Sequence, residues 1–173
     1  TFWSFNPEIQ SAQADFLKAW EGSESEAVAD LVARYTKDNR SPFGTRHRLF
    51  DANDGSAYSE VHRKFHGTAR PFVHTRCYYD FFLISPAGEV LYTVEKEADF
   101  GSNLNTGTWA DSGLGQVYRR ALEKADLHTV VFSDMAAYGP SQDAPAVFAA
   151  TVIVDDNGEL LGVLAVQVPL ARI

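Results

Sequence analysis

The segment from Tyr79 to Phe100, YDFFLISPAGEVLYTVEKEADF, constrains the fold more than any other part of the chain. Aromatic, β-branched and other apolar residues fill most of it up to Ser85. Pro86-Ala87-Gly88-Glu89 then interrupt, and Val90-Leu91-Tyr92-Thr93-Val94 resume the pattern. Two such runs, split by a short Pro/Gly segment, predict a β-hairpin. Gly88 supplies the positive φ that the turn needs. The charged cluster Glu95-Lys96-Glu97-Ala98-Asp99 ends the second strand.

The segment before the hairpin reads as helical. Asn6-Pro7-Glu8 is a helix start: a capping side chain, a proline where its missing N–H costs nothing, and an acid facing the dipole. Ile9, Ala12, Phe16, Leu17 and Trp20 come next at helical spacing, and Gly22 ends the run. Ser23-Glu24-Ser25-Glu26 predicts a capping box for a second helix with the stripe Val28, Leu31, Val32 and Tyr35. A third helix starts at Ser56, with Tyr58, Val61, His62, Phe65 and Ala69 on one face. Pro71 is expected to kink or end it unless a new turn restarts there. After the hairpin come a Gly/Asn/Thr loop over 101–109 and a helix capped by Asp111 or Ser112. Next are a short strand Thr129–Ser133, a loop Asp134–Ala146, and the strands Val147–Val154 and Leu160–Val168. Ile84–Leu91 and Val154–Leu161 share a Gly-Glu-aliphatic ending, which reads as one turn chemistry used twice.

Five antiparallel strands with helices interposed give an α+β fold. The run Val147–Ile153 is apolar on both faces, so the sheet needs two covers: the N-terminal helices on one side and residues 100–125 on the other. The expected organisation is one structural domain, with a helical segment over 1–77 packed on a core over 78–173.

Composition closes several classes. The chain has 173 residues, 45% hydrophobic and 13% aromatic, enough for a proper core. Its net charge of -8 argues against a nucleic-acid partner. Cys77 is the lone cysteine, which excludes an internal disulfide and a cysteine-rich zinc site. Asp51-Ala52-Asn53-Asp54-Gly55 echoes a calcium loop but lacks its closing Glu, and reads as a capping loop. His62 and His66 have an i, i+4 spacing that could hold zinc, but no third ligand is suggested. They read as two partly exposed histidines on a surface helix. No metal site, no cofactor and no enzymatic constellation is expected; Cys77 with His74 carries no sign of activation.

The hairpin, the loop FSDMAAYGPSQDAPAVFAA and the closing GELLGVLAVQVPLARI together resemble the PDC, or Cache, sensor domains of bacterial receptors. These are PAS-like extracytoplasmic modules of chemoreceptors, sensor histidine kinases and cyclases. The resemblance covers residues 78–173, and the N-terminal helices match only in kind. It implies a five-stranded antiparallel sheet with N-terminal helices on one face and a loop-helix lid on the other. The lid maps to Lys96 through Tyr118, over a small-molecule pocket. It also implies a membrane-anchored parent protein, with the chain as its periplasmic part and the last strand leading onward past Arg172-Ile173.

Ligand pockets are mostly apolar with a few placed polar groups. The candidate wall is Tyr92, Phe100, Trp109, Tyr118, Tyr138 and Phe148; the candidate polar groups are Lys96, Asp99, Ser133 and Asp134. Lys96 would suit a carboxylate and Asp134 an amine, so the expected ligand is an amino acid, an organic acid or an amine. The competing expectation is a ligand-free structural module that forms a homodimer through its N-terminal helices, its interior filled by Trp109 and Tyr138.

Overall fold

The computed structural model describes residues 6–169. Both chain ends lie outside the described residues, and with them the expected continuation of the chain beyond the last strand. Helix α1 (Pro7–Glu21) starts as its sequence dictates, with Glu8 N–H donating to the Asn6 side chain at 2.9 Å. Helix α2 (Ser25–Tyr35) departs from expectation: its N-cap is Glu24, without a side-chain cap bond. Ser23 Oγ instead donates to Ala19 O at 2.9 Å and closes α1. Helix α3 (Ala57–Arg76) is capped by Ser56 and runs through Pro71. Gly67 and Pro71 are both exposed, so the carbonyl that proline leaves without a donor faces water.

The sheet contains β1 (Asp80–Ile84), β2 (Val90–Thr93), β3 (Val131–Phe132), β4 (Ala136–Tyr138), β5 (Ala144–Val154) and β6 (Leu160–Pro169). Its order is β2-β1-β6-β5-β3, with β4 also paired to β5, and every pairing is antiparallel. There are six strands where five were expected. The additional one, β4, lies in the stretch 134–146 that reads as loop, because Tyr138↔Ala144 pairing extends β5 in the N-terminal direction. The two hairpin turns are built alike. Ser85 N–H bonds Glu89 O at 2.9 Å and Gly88 N–H bonds Ser85 O at 3.0 Å; Asp155, Glu159 and Gly158 repeat both bonds. Gly88 and Gly158 carry φ of 95° and 81°, which glycine alone adopts freely.

Alternation along β1 sends Phe81 and Leu83 to one face and Phe82 and Ile84 to the other. The first face packs under the helices, where Phe16 meets Tyr58 at 5.1 Å and Tyr92 at 5.3 Å between ring centroids. The second is covered by Leu104 and by helix α4 (Gly113–Lys124), whose buried stripe is Leu114, Val117, Tyr118 and Ala121. The two-sided cover is therefore the expected one.

Gln13 fastens α1 to the sheet. Its Nε2 donates to Ile84 O at 3.0 Å and to Leu161 O at 2.9 Å, where the β1 and β6 ladders give way to their turns. Gly162, with φ of 150°, leaves the room: a Cβ there would lie 2.3 Å from Gln13 Nε2. Gln13→Leu leaves two carbonyls without their buried donor, a loss of about 1–3 kcal/mol each. Urea denaturation is expected to show a loss of roughly 2–6 kcal/mol by that rule. A change below about 0.5 kcal/mol, the range of a plain surface substitution, would contradict the role.

Candidate functional site

One end of the sheet, where β1 begins and β2 ends, holds a buried polar cluster. Asp80 is the charged residue in an otherwise apolar strand, and it is fully buried. Its Oδ1 accepts from the backbone N–H of Phe81 at 2.7 Å, Val94 at 2.8 Å and Glu95 at 3.2 Å. Three donors on one oxygen clamp the chain leaving β2 against the start of β1.

That clamp throws the next residue inward. Lys96 has φ of 58°, an uncommon conformation for a residue with a Cβ. Its N–H bonds Thr93 Oγ1 at 2.9 Å and its Nζ donates to Thr93 O. The side chain is fully buried, with Nζ 4.2 Å from the Tyr92 ring centroid, 5.2 Å from Phe100 and 5.8 Å from Tyr35. Aromatic faces stabilise a cation at such distances. Burial still lowers the lysine pKa to about 7, against the pull of Asp80, Glu95 and Asp99.

The acids around it shift the other way. Burial pushes Asp99 up to about 7, although Tyr138 O–H donates to its Oδ2 at 2.7 Å. Burial, Asp99 and Glu95 push Asp80 well up, and burial and Glu97 push Glu95 up to about 7. Glu97 is held by Tyr79 O–H and Ser141 O–H, both at 2.6 Å, and Gln167 Nε2 donates to Ser141 Oγ at 3.1 Å. Asp80 Oδ2, Asp99 Oδ1 and Gln167 Oε1 are buried without a hydrogen-bond partner among the described residues. Most buried polar atoms are paired, so three orphans in one cluster call for a cause.

The ten residues picked from the sequence divide. Tyr92, Lys96, Asp99, Phe100 and Tyr138 belong to the cluster. Phe148 packs on Tyr138 at 4.7 Å between centroids, and half-buried Trp109 lies 6.4 Å from it. Trp109 Nε1 donates to Ala98 O at 3.3 Å, so the indole sits across the cluster's outer edge. Ser133 caps the β5 edge by accepting from Phe148 N–H at 3.0 Å. Tyr118 donates to Pro86 O at 2.8 Å, at the opposite end of the hairpin, and Asp134 is exposed. Leu104, Leu114, Val117, Tyr118 and Phe148 pack together between α4 and the sheet. A surface cleft of about 690 Å³ by Asp30, Arg34, Asp38 and Asp51 is lined by none of the ten.

Sequence reading missed Asp80, Thr93, Glu97, Ser141 and Gln167. The available signal was a charge inside β1 and an amide inside β6, which the strands place opposite each other (Asp80↔Gln167). It also misjudged His62 and His66, which are fully buried. The segment 47–50 lies over them: His62 Nδ1 bonds Phe50 O at 2.7 Å and His66 Nε2 bonds His47 O at 2.7 Å. His66 Nδ1 meets Tyr92 OH at 2.6 Å, and burial with the nearby Lys96 charge lowers His66 to about 3.

No family model matches the chain, and no curated protein matches it. Among solved structures, it is similar to the ligand-binding domain of the Campylobacter jejuni chemoreceptor Tlp3 in complex with 4-methylisoleucine. That match has 17% identity and a TM-score of 0.47, over 98% of this chain and 63% of that one. It is similar to the sensor domain of the V. cholerae histidine kinase DctB at 13% identity and TM-score 0.48, over 95% of this chain and 55% of that one. A third is the ligand-binding domain of the Pseudomonas aeruginosa amino acid chemoreceptor PctC with GABA, at 17% identity and TM-score 0.45, over 95% and 59%. The chain thus spans less than two thirds of each.

Asp99 gives the cluster a pH signature. Its folded pKa of about 7 lies above the ordinary 3.8. Between those values the unfolded chain has lost the proton that the folded chain keeps, so the contribution of Asp99 to stability falls as pH rises. Asp99→Asn removes this dependence. Melting curves are expected to show the variant gaining on the wild-type chain from about pH 4 to about pH 8, the span of that linkage. An offset that stays constant over that range would mean Asp99 is ionised throughout.

Proposed function

We propose that the chain is the extracytoplasmic, small-molecule-binding sensor module of a transmembrane signalling receptor of the chemoreceptor, sensor histidine kinase or cyclase type. It acts as a binder and not as an enzyme. The observation that carries the reading is the pair of buried, unpartnered oxygens, Asp80 Oδ2 and Asp99 Oδ1, beside a buried lysine. An ammonium group would give both oxygens a charge-assisted donor, and Lys96 would take a carboxylate. The ligand class that offers both is an amino acid. Tyr92, Phe100, Trp109, Tyr138 and Phe148 would form the apolar wall around it.

The cluster is closed, so a ligand must lift the segment that covers it. Trp109 is the outermost cover, held to the cluster by one 3.3 Å bond to Ala98 O. Arg46 Nη1 donates to Lys96 O at 3.1 Å and links the same segment to the helical layer. A ligand that prefers one arrangement of this segment would shift the helices against the sheet, which is what a signal requires. Membrane anchoring belongs to the same proposal; no described helix is long and apolar enough to cross a membrane.

A second reading, a ligand-free module that pairs through its helices, is favoured by the apolar packing of α4 on the sheet. Thermal-shift screening of amino acids, amines and organic acids separates the two. At about a hundredfold excess over Kd a ligand adds roughly 2.7 kcal/mol, or about 5–10 °C in a chain of this size. The sensor reading expects such a rise for an amino acid or amine, and its loss in Asp99→Asn and Lys96→Met. A hit that neither substitution weakens would move the site elsewhere. No hit at all, with a concentration-dependent dimer in ultracentrifugation, would favour the second reading.

A further inference from the structure

We propose that His47, His74 and Glu95 form a binding site for a divalent transition-metal ion of the zinc type. One ligand atom from each lies within 4.8 Å of those of the other two. Two imidazoles and a carboxylate are the donors that zinc takes in sites with an open fourth position. The rings of His47 and His74 stand nearly perpendicular, at 89°, with centroids 5.1 Å apart, so neither blocks the other's nitrogens by stacking.

The three ligands come from three elements. His47 lies in the short 3-10 turn Arg46–Arg48, His74 in the last turn of α3, and Glu95 just past β2. The turn is already fixed from behind, since His66 Nε2 bonds the His47 carbonyl at 2.7 Å. An ion here would tie the helical layer to the residue immediately before Lys96. It would therefore restrain the segment that carries the buried cluster.

The competing cation is Arg70, whose Nε donates to His47 Nδ1 at 2.9 Å. Metal ligation exchanges that hydrogen bond for a coordinate bond, so Arg70 weakens the site and tunes it.

Neither the spacing nor the sensor reading requires this site. The chain stripped with EDTA is titrated with Zn2+ by calorimetry and with Co2+ by visible absorption. One ion per chain is expected, with a rise in melting temperature. His74→Ala, on the exposed end of α3, and Glu95→Gln should each weaken binding by at least about tenfold. Arg70→Gln should tighten it, and His128→Ala should leave it unchanged. Binding that survives both His74→Ala and Glu95→Gln, or a stoichiometry near zero, would overturn the assignment. The amino-acid screen in EDTA tests the sensor reading separately, so the two can fail independently.

Discussion

The Asp80 carboxylate is the interaction on which the arrangement of this molecule turns. One oxygen gathers three backbone N–H groups, from Phe81, Val94 and Glu95. A carboxylate buried to this depth costs several kcal/mol when ionised, and hydrogen bonds offset part of that cost. The geometric result is specific. β2 cannot continue past Thr93, the chain folds back, and Lys96 is forced into a left-handed conformation that aims its side chain into the protein. The lysine, its aromatic surround and the acids Glu97 and Asp99 are placed by that single clamp.

The sheet supplies the setting. Its central strands β1, β6 and β5 are apolar on both faces, so neither face can meet water. The helices cover one side and the α4 segment the other, and the chain between them must pass the sheet's end. That passage is residues 94–112, and it carries Glu95, Lys96, Glu97 and Asp99 of the polar cluster. Charge density and backbone irregularity concentrate there because regular ladder hydrogen bonding has run out. Gln13 plays a comparable part at the other end, where turn carbonyls also lack ladder partners.

Local chemistry made much of this legible. The hairpin, both Gly-Glu turns, the cap at Asn6, the start of α3 at Ser56, the cap of α4 at Asp111 or Ser112 and the two-sided cover all arise from short-range pattern. Lys96, Asp99 and Tyr138 of the cluster were also singled out in the sequence, Lys96 and Asp99 as polar groups past the second strand and Tyr138 as a large aromatic in a loop without a periodic core reason. His62 and His66 were misread because an i, i+4 pair looks the same on a buried face as on an exposed one. What buries them is the 47–50 segment, which has no sequence signature for docking. Pro71 was tolerated because solvent, and not the core, receives the freed carbonyl of Gly67.

The sequence by itself determined most of the segments that become helix or strand, β4 excepted, and that an apolar sheet must be enclosed on both sides. These depend on side-chain periodicity and backbone preference over a few residues. Only the tertiary structure decided that Asp80 would hold the end of β2, that Lys96 would point inward, and that His47, His74 and Glu95 would meet. Those outcomes depend on which distant groups share a low-dielectric space. There, the energy of a charge is set by its neighbours in three dimensions, and no local pattern encodes them.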